Sequence, residues 1–261
     1  MAEAAGLYYE EHGAPDAPPL ILSSGLGGSA SYWAPNIAAL SQHFRVIAYD
    51  HRGTGRSDRA LPDVVSVDDF ADDILALMDA LGIARAHIIG HAAGGVAGLA
   101  LALKAPERLD RLVVVNGWAK ADPHFLRCFE ARLNLLRHSG VEAFLRAQPI
   151  FLYPAGWIST HTQELDAELP HQLASFPGAA TMEKRIAALA VFDVTGKLRH
   201  LTKRVLVLAT ADDMLVPSVA GWGLSRELGG APLVTMEWGG HACNVTDTKW
   251  FNHHVLDFLR S

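Results

Sequence analysis

The 261-residue sequence predicts an α/β fold in which a mostly parallel sheet is flanked by helices and carries a helical insertion. Three observations predict it. Short apolar runs alternate with stretches of helical periodicity, the pattern of strands joined by crossover helices. Runs such as Val-Leu-Val-Leu at 205–208 show no polar alternation, as expected where both faces of a strand are buried. Between about residues 120 and 195 strand-like runs stop and only helical spacing continues.

Taken in order, strands are expected at 7–11, 20–22, 46–49, 87–89, 112–115, 205–208 and 233–237. After the third, Ser66 with Asp69 reads as a capping box, and Phe70, Ile74, Leu77, Met78 and Leu81 recur at helical spacing. Within the interruption, Phe125, Phe129, Leu133 and Leu136 repeat every three or four residues, and further helical patterns cover 141–147 and 182–190. An unstructured loop of that length would be out of keeping with a compact domain. The expected organisation is a sheet domain formed by 1–119 and 196–261, with a helical cap insertion, 120–195, over the mouth of the sheet, where open α/β sheets bind ligands. Residues 248–260 should close the chain as a helix with Phe251, Val255, Leu256 and Leu259 on one side.

Composition narrows the function classes. Half of the residues are hydrophobic, ample for a core. The net charge of −6 gives no basic footprint for nucleic acid. The longest apolar stretch, 92–103, is too short for a bilayer, and the first Lys or Arg is Arg45, so no positively charged leader is read and a cytoplasmic location is expected. Cys128 and Cys243 lack metal-binding spacing and read as free thiols, Cys243 as a small buried apolar residue. No metal or cofactor is expected. A small-molecule substrate is, and exposed apolar surface on the insertion would support a homodimer.

Four segments could carry chemistry. Gly90-His91-Ala92-Ala93-Gly94 lies where a strand turns sharply into a helix, the setting of the nucleophile elbow Gly-x-Ser-x-Gly, but Ala92 replaces the Ser. An ordinary Gly-rich strand-to-helix turn is an equal reading. Asp213, after an apolar strand, could hold a histidine Nδ1–H, although Asp212 competes and turn capping is the commoner role of such residues. His241, in a Gly-rich loop after the last strand, could act as a general base, or be one loop histidine among thirteen. Ser24-Gly25-Leu26-Gly27-Gly28 could aim backbone N–H groups at a developing oxyanion. A phosphate loop is the rival, without its lysine. Trp33, Trp118, Tyr153 and Trp157 could be core or lining, and Trp118 and Trp157 are assigned with Gly25 to the pocket.

The chain order of these segments resembles the α/β-hydrolase family. Asp50-His51-Arg52-Gly53-Thr54-Gly55-Arg56-Ser57 is similar to its D-x-R-G-x-G-x-S turn, and Pro106-Glu107-Arg108-Leu109 is typical before a strand. Gly25-Leu26-Gly27-Gly28-Ser29, Asn116-Gly117-Trp118, Phe151-Leu152-Tyr153-Pro154 and 239–247 are similar to a narrower group, the RutD family of bacterial pyrimidine utilisation, whose Gly-His-Ala-x-Gly elbow also has Ala. That resemblance implies a hydrolase of a small labile C–N compound, aminoacrylate or carbamate, in uracil nitrogen catabolism.

Ala92 closes the acyl-enzyme route. What remains is a set in which Asp213 orients His241, His241 takes a proton from water, and the N–H groups of Leu26 and Ala93 stabilise negative charge. A substrate anion would want a cation; Arg52 reads as a turn residue and Arg127 in the insertion as a candidate. Three alternatives stand: an engineered Ser-to-Ala variant of an esterase-like serine hydrolase, a non-catalytic ligand-binding pseudoenzyme, and proton-transfer chemistry of a lyase or a cofactor-independent oxygenase.

Overall fold

The computed structural model describes residues 2–261 and, at 202–203, the backbone alone. In chain order the elements are β1 (Ala2–Ala4), β2 (Leu7–His12), β3 (Pro19–Ser23), α1 (Ala34–Leu40), β4 (Arg45–Tyr49), α2 (Val67–Ala80), β5 (Ala86–His91), α3 (Ala93–Lys104) and β6 (Leu109–Val115). There follow α4 (Pro123–Leu152), α5 (Ala155–Thr160), α6 (Thr162–Ser175), α7 (Ala179–Ala190), β7 (Val205–Thr210), α8 (Ser218–Glu227), β8 (Leu233–Met236), α9 (Cys243–Thr246) and α10 (Thr248–Arg260).

The strands form one sheet of order β1-β2-β4-β3-β5-β6-β7-β8, parallel from β4 to β8 and antiparallel at β1, β2 and the β2–β4 junction. Each expected strand is present, most of them one to three residues longer. β1 was not anticipated, because Ala-Glu-Ala has no apolar run. It exists because β2 offers an open edge, with Ala2 opposite Tyr9. Alternate strand residues serve two cores. Ile21, Ile47, Ile88, Leu112 and Val207 pack with α2, α3 and α8; Leu20, Val46, Ile89, Val113 and Leu206 pack with α1 and α10. This is why the strands read as unbroken apolar runs.

The Ser66 capping box is formed: Asp69 N–H donates to Ser66 Oγ and Ser66 N–H to Asp69 Oδ2 at 2.7 Å. The helical patterns at 125–136 and 141–147 belong to one kinked helix, α4, broken at Gly140 with φ 88° and ψ 178°. α5 and α6 were not anticipated; they bury little, Leu169 of α6 being their one buried residue, so their apolar stripe is faint. No helix among the described residues is long and apolar enough to cross a membrane.

Candidate functional site

The chain runs from β3 to β4 on one side and then to β5 on the other, so the sheet's topological switch lies between β3 and β5. Loops leaving the carboxyl ends of two such strands diverge and open a crevice. Residues 24–29 follow β3 and Ala92 follows β5, one on each side of it.

Ala92 has φ 46° and ψ −105°, a conformation that costs a residue with a Cβ about 1–3 kcal/mol. Its N–H is held by Val115 O at 2.8 Å. The flanking glycines allow the turn: a Cβ on Gly90 would run into the backbone of Gly94, and one on Gly94 into the carbonyl of Ser23. The chain thus keeps the strained elbow and presents only a methyl group there.

His241 and Asp213 are both buried, with Nδ1–H donating to Oδ2 at 2.7 Å. The other oxygen of Asp213 accepts from the N–H groups of Leu215 and Val216 at 2.8 and 2.9 Å, which locks the carboxylate in place. Asp212, the competing residue, does something else: it accepts from Gly240 N–H at 2.8 Å and holds the loop that carries His241. The carbonyl of His241 receives Asn116 Nδ2–H and His91 Nε2–H, each at 2.8 Å. Asn116, itself at φ 48°, also bonds Thr210, so β6, β7 and the histidine loop are pinned together.

These elements open on one cavity of about 310 Å³. Gly25, Leu26, Ala92, Ala93, Trp118 and His241 all line it. The 25–28 turn uses the N–H of Gly28, and the N–H of Ala93 belongs to the first turn of α3; among the described residues neither Leu26 N–H nor Ala93 N–H meets an acceptor. Trp157 departs from expectation. It does not line the cavity, because its ring is stacked between Tyr153 (4.3 Å) and His161 (3.9 Å). Tyr153 does line it, while Trp33 is core, packed toward Phe251. Arg127 is exposed and donates to Pro123 O, away from the cavity. Arg52 serves a turn, bonding Asp73, Asp58 and Ala5 O.

Three residues of the site carry no role expected from the sequence. Arg132 of α4 is buried and lines the cavity, and burial brings its guanidinium down to about 10. Only its i+3 spacing from Phe129 on an apolar face signalled it. Arg185 of α7 is fully buried and donates to Leu26 O at 3.2 Å, Arg52 O at 3.3 Å and His51 Nδ1 at 2.9 Å, tying α7 to the Gly-rich loop. His91 also lines the cavity. Its Nε2 donates to a carbonyl, so its Nδ1 is an acceptor, and that atom is buried without a partner. Burial, followed by repulsion from His241, holds His91 well below the ordinary histidine range and therefore neutral. Cys243 is buried and its thiol is pushed up to about 12 by desolvation, so it behaves as the apolar filler expected. Among the described residues no group of three or more His, Cys, Asp or Glu could hold a metal ion.

Comparison with known proteins bears on the family and the fold. Residues 18–247 match the alpha/beta hydrolase fold family. A Caulobacter segnis protein provisionally named carbamate hydrolase RutD is 52% identical, over 97% of this chain and 96% of that protein. Among solved structures, a hydrolase from Pseudomonas aeruginosa has a TM-score of 0.85 at 30% identity, covering 98% of this chain and 94% of its own. The enol-lactonase of Burkholderia xenovorans has a TM-score of 0.85 at 29% identity, covering 100% and 99%.

Proposed function

Because the chain belongs to the RutD family of alpha/beta hydrolases, we propose that it hydrolyses a small, already labile C–N compound, aminoacrylate or carbamate, in pyrimidine nitrogen catabolism by direct attack of water. The observation that carries this reading is the buried His241–Asp213 pair at 2.7 Å, opening on the cavity wall that holds Ala92 at a strained elbow with no nucleophile.

Asp213 holds Nδ1–H of His241 and stabilises the imidazolium. The Nε2 of His241 takes a proton from a water lodged above the Ala92 methyl. The water oxygen bonds to the imine carbon of aminoacrylate or the carboxyl carbon of carbamate. With carbamate, His241 then returns the proton to nitrogen, the C–N bond breaks, and ammonia leaves with bicarbonate. With the imine form of aminoacrylate, the returned proton gives a carbinolamine; His241 next takes the proton of its hydroxyl and passes it to the amine, and the C–N bond breaks as the C=O forms, releasing ammonia and an aldehyde. The N–H groups of Leu26 and Ala93 face the oxygen that gains charge, a role that suits carbamate better than an iminium. The helices α4–α7 act in this reading as a cap that limits access of bulk water.

A positioned general base contributes roughly 10²–10⁴-fold, about 3–5 kcal/mol. That is too little for a peptide bond. It is ample for a compound that decomposes unaided within minutes. The test is ammonia release from aminoacrylate or carbamate generated in situ. Wild type should exceed buffer, and His241→Ala should match it. Wild type and variant both running at the buffer rate would sink the proposal and leave a ligand-binding protein without turnover.

A further inference from the structure

We propose that Arg132 is the anchor for a carboxylate on the ligand and sets the cavity's preference for small organic acids. This deepens the function proposed above and rests on it for the reaction, but not for the binding.

The α4 residues facing inward include Phe125, Phe129, Leu136, Phe144 and Leu145, an apolar surface into which helical spacing inserts one guanidinium. Arg132 is 3% exposed and lines the cavity. Among the described residues it forms no ion pair with any carboxylate; Glu168 of α6 also lines the cavity but does not reach it within ion-pair distance. Among the described residues its one hydrogen bond is a long one, Nη2–H to Gln148 Oε1 at 3.3 Å, and Nε is buried without a partner. The rings of Phe129, Phe144 and Phe151 lie 5.3, 4.9 and 5.5 Å from the guanidinium carbon. Ring faces offset part of the cost of burying the charge, yet they occupy none of its in-plane donors. A buried cation without a counter-charge is expensive, and a fork of free N–H groups at a cavity wall matches a carboxylate. Arg185, the other buried arginine, is the contrast: each of its nitrogens already donates to the protein.

Cavity size points the same way. About 310 Å³ has room for about ten waters, far more than a carbamate ion fills. It suits a ligand whose carboxylate sits on Arg132 while a second carbon lies near His241.

The experiment compares two unreactive isosteres, sodium propionate and propionamide, by calorimetric titration of the full chain at constant ionic strength. Wild type should bind propionate at least tenfold more tightly than propionamide. Arg132→Met, which fills the same Phe-lined space without charge, and Arg132→Gln should each abolish that preference; whichever of the two folds decides. Equal affinity for the two probes in wild type, no binding of either, or a preference that survives substitution overturns the assignment. No turnover is read, so a protein that selects propionate but fails to release ammonia rejects only the proposed reaction. Normal ammonia release without propionate selectivity rejects only the anchor.

Discussion

His91 Nε2–H donates to the carbonyl oxygen of His241 at 2.8 Å, and the two rings meet edge to face with centroids 4.5 Å apart. This contact joins the elbow after β5 to the loop after β8 across 150 residues. It also decides a tautomer, since a carbonyl can only accept, and so leaves the acceptor Nδ1 of His91 in the cavity wall. Replacing His91 by Phe should keep the ring packing and remove the donor. Asn116 still serves the same carbonyl, so the expected loss is modest, about 1 kcal/mol in urea denaturation.

The two adjacent aspartates should separate cleanly. Asp213→Asn keeps a polar group beside His241 but cannot stabilise its charged form; ammonia release should fall about 10²–10⁴-fold. Asp212→Asn, which touches only the glycine amides of the loop, should stay within about tenfold of wild type. Parallel rate measurements on both variants check this, and equal losses would contradict it.

Ala92→Ser places a hydroxyl on a backbone already strained for it, in the cavity that His241 lines. The variant should gain hydrolysis of p-nitrophenyl acetate with a burst of nitrophenol, the mark of an acyl-enzyme. Its thermal midpoint should stay within a few degrees of wild type, since φ and ψ need not change. A folded variant with no burst would show that His241 and the Leu26 and Ala93 amides are not aligned on this position.

Acid should destabilise the fold. Burial, aided by Arg185 at His51 and by His241 at His91, holds both histidines well below the ordinary 6.5. Above about pH 6.5 each is neutral whether folded or unfolded, and stability does not depend on it. Below that the unfolded chain takes up protons that the folded chain refuses. Stability then falls by about 1.4 kcal/mol per pH unit for each histidine until its folded value is reached. His87, also lowered by burial, adds to the slope in the same direction. Urea denaturation at pH 7.5, 6.0 and 5.0 measures it, and His51→Gln should remove about 1.4 kcal/mol per pH unit from it.

The sequence alone was enough for the alternation of buried strands and helices, the capping box at Ser66 and Asp69, and the order of Gly-rich loop, elbow, Asp and His. These are local matters: side-chain periodicity, turn residues and capping act within a few positions. Edge strand β1 escaped because its cause lies in the open edge of β2 and not in its own residues. Asp213 is the partner expected for His241, with Asp212 as its rival; the two are equivalent in composition, and only the direction the backbone gives them after β7 separates their roles. The same holds for the cation: Arg127 and Arg132 sit on one helix, and five positions of helical rotation put the first in solvent and the second in the cavity. Ala92 could be read as a missing nucleophile from the letters, but tertiary structure decided that the strained elbow persists there, because Gly90, Gly94 and Val115 hold it by contacts made across the sheet.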